Sequence, residues 1–225
     1  MMIELQNISK IYPINGGVRT IFSNVNLKIS KGERIGVLGR NGAGKSTLVR
    51  LIGGAEKPSG GTIRRSMSVS WPLAFSGGFQ PRLTGADNLR FICRIYNVDY
   101  SERLSYVQDF SELGVYLNEP VANYSSGMRA RLAFAISMTI DFDCYLIDEV
   151  TAVGDASFRE KCKVELFQKR RDRAMVIVSH SEGYIKENCN RFLLLRDKNL
   201  IEFASYREAY HHHKAMMMMP PPPGE

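Results

Sequence analysis

The run Gly39-Arg40-Asn41-Gly42-Ala43-Gly44-Lys45-Ser46-Thr47 constrains this chain more than any other feature, because it stands between two different hydrophobic periods. Before it, Arg34 to Leu38 is a short apolar run with the length of a buried strand; after it, KSTLVRLIGG has helical apolar spacing that Gly53-Gly54 brings to an end. Strand, glycine loop and helix in that order turn successive N–H groups toward one point at the positive end of a helix, where a row of phosphates is favoured. The spacing Gly-x-x-x-x-Gly-Lys-Ser/Thr in this context assigns roles. Residues Gly39, Arg40, Asn41, Gly42, Ala43 and Gly44 form the cradle. Lys45 holds the β- and γ-phosphates as a point charge, Ser46 offers its hydroxyl to Mg²⁺, and Thr47 offers one to an α-phosphate oxygen.

The remaining pattern predicts an α/β chain. Two β-rich runs between Ile3 and Ile29 flank the turn-rich PINGG, as in an antiparallel hairpin appended to a larger sheet. Helical segments follow at Thr84 to Tyr96 and Ser101 to Leu113, an inserted helical lobe at about residues 81–125. Beyond it a helix (Ser126 to Ile140), a buried strand (Cys144 to Ile147), a helix (Asp155 to Arg171), another strand (Ala174 to Val178), a helix (Ser181 to Asn188) and a last strand (Asn199 to Phe203) alternate. Such alternation predicts a mostly parallel sheet. Its 225 residues suit one domain, taken as 1–210, and not two tandem ones. Residues 211–225, HHHKAMMMMPPPPGE, are expected to form a disordered tail.

Composition narrows the class. Hydrophobic residues at 44% supply a core, yet no apolar run reaches a membrane span, because Leu132 to Val150 is broken by Asp141, Asp143, Asp148 and Glu149. The amino end lacks the basic flank and apolar stretch of an export signal, which predicts a cytoplasmic chain. A net charge of +7 favours anionic partners. Cys93, Cys144, Cys162 and Cys189 form no close pair, which argues against zinc and a disulfide framework. Lys169-Arg170-Arg171-Asp172-Arg173 closes a predicted helix, where cations suit the dipole.

A second chemical motif is Cys144-Tyr145-Leu146-Ile147-Asp148-Glu149, an apolar strand ending in two acids. Adjacent side chains on a strand point to opposite faces, so the two have different work: Asp148 reaches Mg²⁺ through water and Glu149 polarises an attacking water. His180 follows the strand at Ala174 to Val178, at the edge where open α/β sheets bind ligands, in reach of a γ-phosphate.

Taken together these residues resemble the nucleotide-binding subunits of ATP-binding cassette transporters over about residues 3 to 205. The resemblance implies a P-loop NTPase core with an antiparallel β edge subdomain and the helical lobe. It also implies ATP with Mg²⁺ as the bound species, Tyr12 stacked on adenine, and Gln80 as a lid glutamine sensing the metal. Tyr124-Ser125-Ser126-Gly127-Met128 looks like the cassette signature, with Ser126 and Met128 replacing the usual glycine and glutamine. Ser125, Ser126 and Gly127 are then expected to contact nucleotide across a head-to-tail dimer, as is Asp155, while Val150 and Gly154 depart from the family's pattern. YSSGMRARLAFA and DEVTAVGDASF further resemble the ATPases of capsular polysaccharide exporters. That implies a separate integral membrane permease and a position on the cytoplasmic face of a bacterial inner membrane, with O-antigen or teichoic acid as other exported polymers. A cassette acting on nucleic acid or ribosomes fits less well, because the chain has one cassette and no heptad insertion, and no nucleic-acid partner is expected. A P-loop kinase leaves the Ser125 segment and Asp155 without a task.

Overall fold

A computed structural model describes residues 1–73, 78–148, 154–179 and 181–218. In chain order the first elements are β1 (Met2–Ile14), β2 (Gly17–Ser30), β3 (Arg34–Gly39), α1 (Lys45–Gly53), β4 (Gly60–Arg65) and β5 (Val69–Pro72). Next come α2 (Gly85–Tyr96), α3 (Tyr100–Ser111), α4 (Ser126–Met138), β6 (Cys144–Asp148) and α5 (Ala156–Lys163). The chain continues through β7 (Ala174–Val178), α6 (Glu182–Asn188), β8 (Arg191–Arg196), β9 (Asn199–Phe203) and α7 (Tyr206–Met218). It divides into two compact units, residues 1–69, 143–149 and 172–225 in one, and 70–142 and 150–171 in the other.

The first unit holds an antiparallel sheet ordered β2-β1-β4 and the strands β6-β7-β3-β8-β9 of a second sheet, in which β9 alone of these five runs antiparallel to its neighbour. In β1 the period-2 alternation puts Ile3 and Leu5 inward. Asn7, at φ 53°, then breaks the step, and the register moves from Leu5 opposite Leu27 to Ile8 opposite Val25. One extra residue on β1 therefore returns Ile8 to the buried face, and asparagine tolerates the left-handed backbone this needs. The parallel strands show no alternation: Ile35, Val37, residues 144–147 and residues 174–178 are all buried, as expected when both faces are covered. Helix α6 lies close over β3, where a Cβ added at Gly36 would come within 2.7 Å of Ile185 Cγ2. At the end of α1, Arg65 donates to the Ile52 carbonyl at 2.8 Å and to that of Leu51, so a cation satisfies carbonyls the helix leaves open.

The expected tail is corrected over 211–218, which continues α7. Tyr206 meets Phe192 edge-on at 5.6 Å, Ala209 and Met216 are buried, and the His212 ring lies 4.9 Å from that of Phe203. The biased composition hid a helical spacing at 206, 209 and 216 that this first-unit surface accepts. Residues 219–225 lie outside the described residues.

The second unit is helical and wider than the lobe expected at 81–125, because α4 and α5 share its core. Thr84, Asp99, Ser125 and Asp155 each cap the following helix by accepting a backbone N–H three residues on. Leu89, Cys93, Val107, Leu132 and Ile136 are buried together, and Phe110 stacks on Phe134 at 5.7 Å with Phe158 edge-on to Phe110 at 5.4 Å. The helix expected from Asp155 to Arg171 changes type: α5 stops at Lys163 and a π turn, Val164–Gln168, follows. There the buried Glu165 accepts from Arg170 at 2.6 Å and Lys169 at 2.8 Å, while Arg170 also donates to the Met138 carbonyl at 2.8 Å.

The close approach of α6 to β3 makes a stability prediction. Gly36→Ala inserts a methyl group where no space exists, and denaturant unfolding should show a loss of about 1–3 kcal/mol. Unchanged stability would mean that α6 moves aside freely.

Candidate functional site

The site begins with the backbone of Gly44. At φ 104° and ψ 12° it is left-handed, and a Cβ there would lie 2.4 Å from Ile21 Cγ2, so only glycine turns the chain from the loop into α1. Lys45 is consequently the first residue of α1. The residue is 9% exposed, and its ammonium donates to the carbonyls of Gly39 at 2.8 Å and Arg40 at 2.9 Å. The loop thus folds over its own cation.

This loop floors a cleft of about 680 Å³ in the first unit. Asn41, Gly42, Gly44, Lys45, Ser46 and Thr47 form the phosphate-binding side; Tyr12, Ile14, Arg19 and Ile21 come from the antiparallel sheet; Asp148 and Val178 end β6 and β7. Of the predicted residues, Tyr12, Asn41, Gly42, Gly44, Lys45, Ser46, Thr47 and Asp148 are therefore brought together. Gly39 and Arg40 contribute carbonyls to Lys45, and Ala43 packs against the core. The hydroxyl of Ser46 and the carboxylate of Asp148 are hard oxygen donors on one cleft, a set that suits Mg²⁺ completed by phosphate and water. Glu149 and His180 lie outside the described residues.

Sequence reasoning missed what stands behind Tyr12. Its hydroxyl donates to Glu56 Oε1 at 2.5 Å, and the same carboxylate pairs with Lys10 at 2.8 Å and Arg50 at 3.1 Å. Burial by itself raises the Glu56 carboxyl, but the hydrogen bonds from Lys10, Tyr12 and Arg50 outweigh it and hold the group down at about 2. Arg19 was also missed; its guanidinium reaches the Gly42 carbonyl at 3.5 Å. Its only sequence signal is a basic residue just before the apolar run of β2.

Gln80, Ser125, Ser126, Gly127 and Asp155 belong to the second unit. The Gln80 backbone is fastened by the buried Asn88, whose side chain accepts from Gln80 N at 2.9 Å and donates to Gln80 O at 3.2 Å. Ser125 Oγ accepts from Met128 N at 3.2 Å, so this hydroxyl starts α4. Asp155 accepts from Phe158 N at 2.9 Å with one oxygen and from Arg131 Nη2 at 2.6 Å with the other, and its carboxyl is held below the ordinary range first by that backbone bond. Arg131 also donates to Glu112 at 2.9 Å and covers the Phe158 ring, linking the signature helix to the start of α5.

A glycine loop between a buried parallel strand and a helix, with an acid ending another strand of the same sheet, defines a P-loop nucleotide-binding protein. The ABC transporter family model matches residues 22–152, and the chain belongs to that family. It is 56% identical over 209 residues to the capsule polysaccharide export ATP-binding protein CtrD of Neisseria meningitidis serogroup B, covering 93% of this chain and 97% of the relative. It is 57% identical over 209 residues to the ATP-binding protein BexA of Haemophilus influenzae, covering 93% and 96%. In fold it is similar to the dimeric ATP-binding cassette MJ0796 bound to ADP and Pi, at a TM-score of 0.75 and 22% identity over 89% of this chain and 97% of that one.

Because the Glu56 carboxyl is lowered on folding from its ordinary 4.5 to about 2, its stabilisation is complete above 4.5 and is lost as pH falls toward 2. Glu56→Gln should flatten that part of the stability–pH curve in acid denaturation; a variant curve parallel to the parent's would contradict the Glu56 network.

Proposed function

We propose that the chain is the ATP-hydrolysing subunit of a bacterial exporter of capsular polysaccharide, paired head to tail with a second copy and working with a separate membrane permease. The observation that carries this reading is the match, over nearly the whole chain, to a capsule polysaccharide export ATP-binding protein, on a molecule whose first unit gathers Lys45, Ser46, Thr47 and Asp148 around one cleft. Among the described residues no helix is long and apolar enough to cross a membrane. In this reading the sugar's path belongs to the permease.

In this reading Tyr12 stacks on adenine while the loop N–H groups and Lys45 hold the phosphates. Ser46 and Asp148 would hold Mg²⁺, which when bound neutralises charge on the β- and γ-phosphates. Glu149 polarises the attacking water, and His180 contacts the γ-phosphate. The Ser125-Ser126-Gly127 segment of the second copy offers the amino end of its α4 to the same phosphate, and its Asp155 crosses the dimer. The dimeric state of the MJ0796 cassette supports the pairing. Closure of the pair would move the segment from Gln80 to Tyr96 and so act on the permease, at the cytoplasmic face of the inner membrane; hydrolysis would reset it.

Two measurements test this. Purified Glu149→Gln should bind ATP but turn it over about 10²–10⁴ times more slowly, the usual contribution of a positioned base; parental turnover would remove Glu149 from that role. In the host, deleting the gene should trap capsular polysaccharide inside the cell, with surface polymer restored by the parent and not by Glu149→Gln. Normal surface polysaccharide in the deletion strain would refute export.

A further inference from the structure

The proposed site gives Tyr12 to the base and Thr47 to the α-phosphate, but it does not explain the carboxylate that stands behind both. Glu56 lies in the turn after α1 and keeps 19% of its side chain exposed. Oε1 accepts from the Tyr12 hydroxyl at 2.5 Å and from Lys10 Nζ at 2.8 Å, and Oε2 accepts from Arg50 Nε at 3.1 Å. Arg50 reaches onward with Nη2, donating to Thr47 Oγ1 at 3.1 Å and lying 3.5 Å from the Tyr12 hydroxyl. Lys10 stands over the Tyr12 ring, 4.8 Å from its centroid, with a second anchor on the Lys57 carbonyl at 2.9 Å. Glu56 itself is tied by backbone to α1, its N–H donating to the Arg50 carbonyl at 3.3 Å.

Each bond restricts a group that the nucleotide would meet. A phenol whose hydroxyl is held at its far end keeps its ring in one orientation, with its faces set before a base arrives. A threonine hydroxyl that accepts from a guanidinium turns its own proton away from that cation and presents a donor to an anion. Lys10 and Arg50 against the single charge of Glu56 leave one net positive charge beside the cleft, which suits phosphate. Without the carboxylate the two cations would repel and Arg50 would lose the partner that aims it.

We propose that Glu56 is the positioning residue of the nucleotide cleft, fixing the Tyr12 ring and, through Arg50, the Thr47 hydroxyl as one rigid unit. The cleft then recognises a base and a phosphate chain joined in one ligand, a nucleoside triphosphate, better than the phosphates alone. This inference rests on the ATP reading given above.

The test is calorimetric titration of the full chain with Mg·ATP and, separately, with inorganic tripolyphosphate, which has no base. Glu56→Gln and Tyr12→Phe should each weaken ATP binding about 3–10-fold, the net effect of one ordinary hydrogen bond, because the lost link acts on ATP only through the ring it positions. The double variant should lose less than the sum of the two single losses, because both act on the link between Tyr12 and Glu56. Tripolyphosphate binding should be untouched by Tyr12→Phe and weakened by Glu56→Gln, though less than ATP binding. Should Glu56→Gln not fold, Arg50→Lys, which keeps the charge but cannot span Glu56 and Thr47, should weaken ATP and tripolyphosphate alike, because it breaks the Thr47 link and leaves Tyr12 on Glu56. Additive losses in the double variant, an unchanged ATP affinity or equal losses for ATP and tripolyphosphate in Glu56→Gln, or an unchanged tripolyphosphate affinity in Arg50→Lys would overturn the proposal while parental ATP binding stands. A parent chain that fails to bind ATP would overturn the ATP reading and this one with it.

Discussion

A buried lysine whose ammonium is held by the carbonyls of the loop that carries it is the interaction on which the rest of the molecule depends. Removing a full charge from water costs several kcal/mol, and the carbonyl dipoles of Gly39 and Arg40 offset part of that cost. The geometry that holds Lys45 there is set by β3, paired on both sides and buried from Ile35 to Gly39, and by the left-handed turn at Gly44. The two strands flanking the loop's own strand have different tasks. β7 continues the register to β6, where Asp148 pairs with Val178 at the rim of the cleft, and β8 closes the other side. The core therefore holds the acid and the lysine loop in fixed relation within the first unit.

The antiparallel sheet does more than cover an edge. Its bulge at Asn7 keeps Ile8 in the core, and farther along β1 the chain delivers Lys10 and Tyr12 to the cleft and its supporting carboxylate. In the second unit the polar groups of interest are used locally first: Ser125 and Asp155 begin helices, and Asn88 fastens the Gln80 segment. Groups already engaged in caps are pre-organised, which lowers the entropy lost when they meet a ligand.

Legibility in the sequence followed the range of the interaction. The glycine loop, the start of α1, the helix starts near Thr84, Ser126 and Asp155 and the buried strands β6 and β7 are decided by residues within a few positions of one another, and they were readable. β4, β5 and β8 were not assigned, since β4 is set by its pairing with β1 and β8 by its pairing with β3. The π turn after Lys163 answers to Arg170 and Met138, and the helix through 211–218 answers to Phe192 and Phe203; composition reports neither. In the site itself Lys45, Ser46, Thr47 and Asp148 were legible from spacing, whereas Glu56 lies 44 positions from the tyrosine it holds and Arg131 lies 24 from the aspartate it holds. No local pattern announces contacts of that kind.

In the proposed function the Lys45 ammonium anchors a triphosphate, and Mg·ATP titration of the parent chain beside Lys45→Ala tests this most directly. Removing one partner of a buried charged pair costs about 2–5 kcal/mol, so the variant should bind Mg·ATP at least about 30-fold more weakly while remaining folded. Equal affinity in the two proteins would contradict the account.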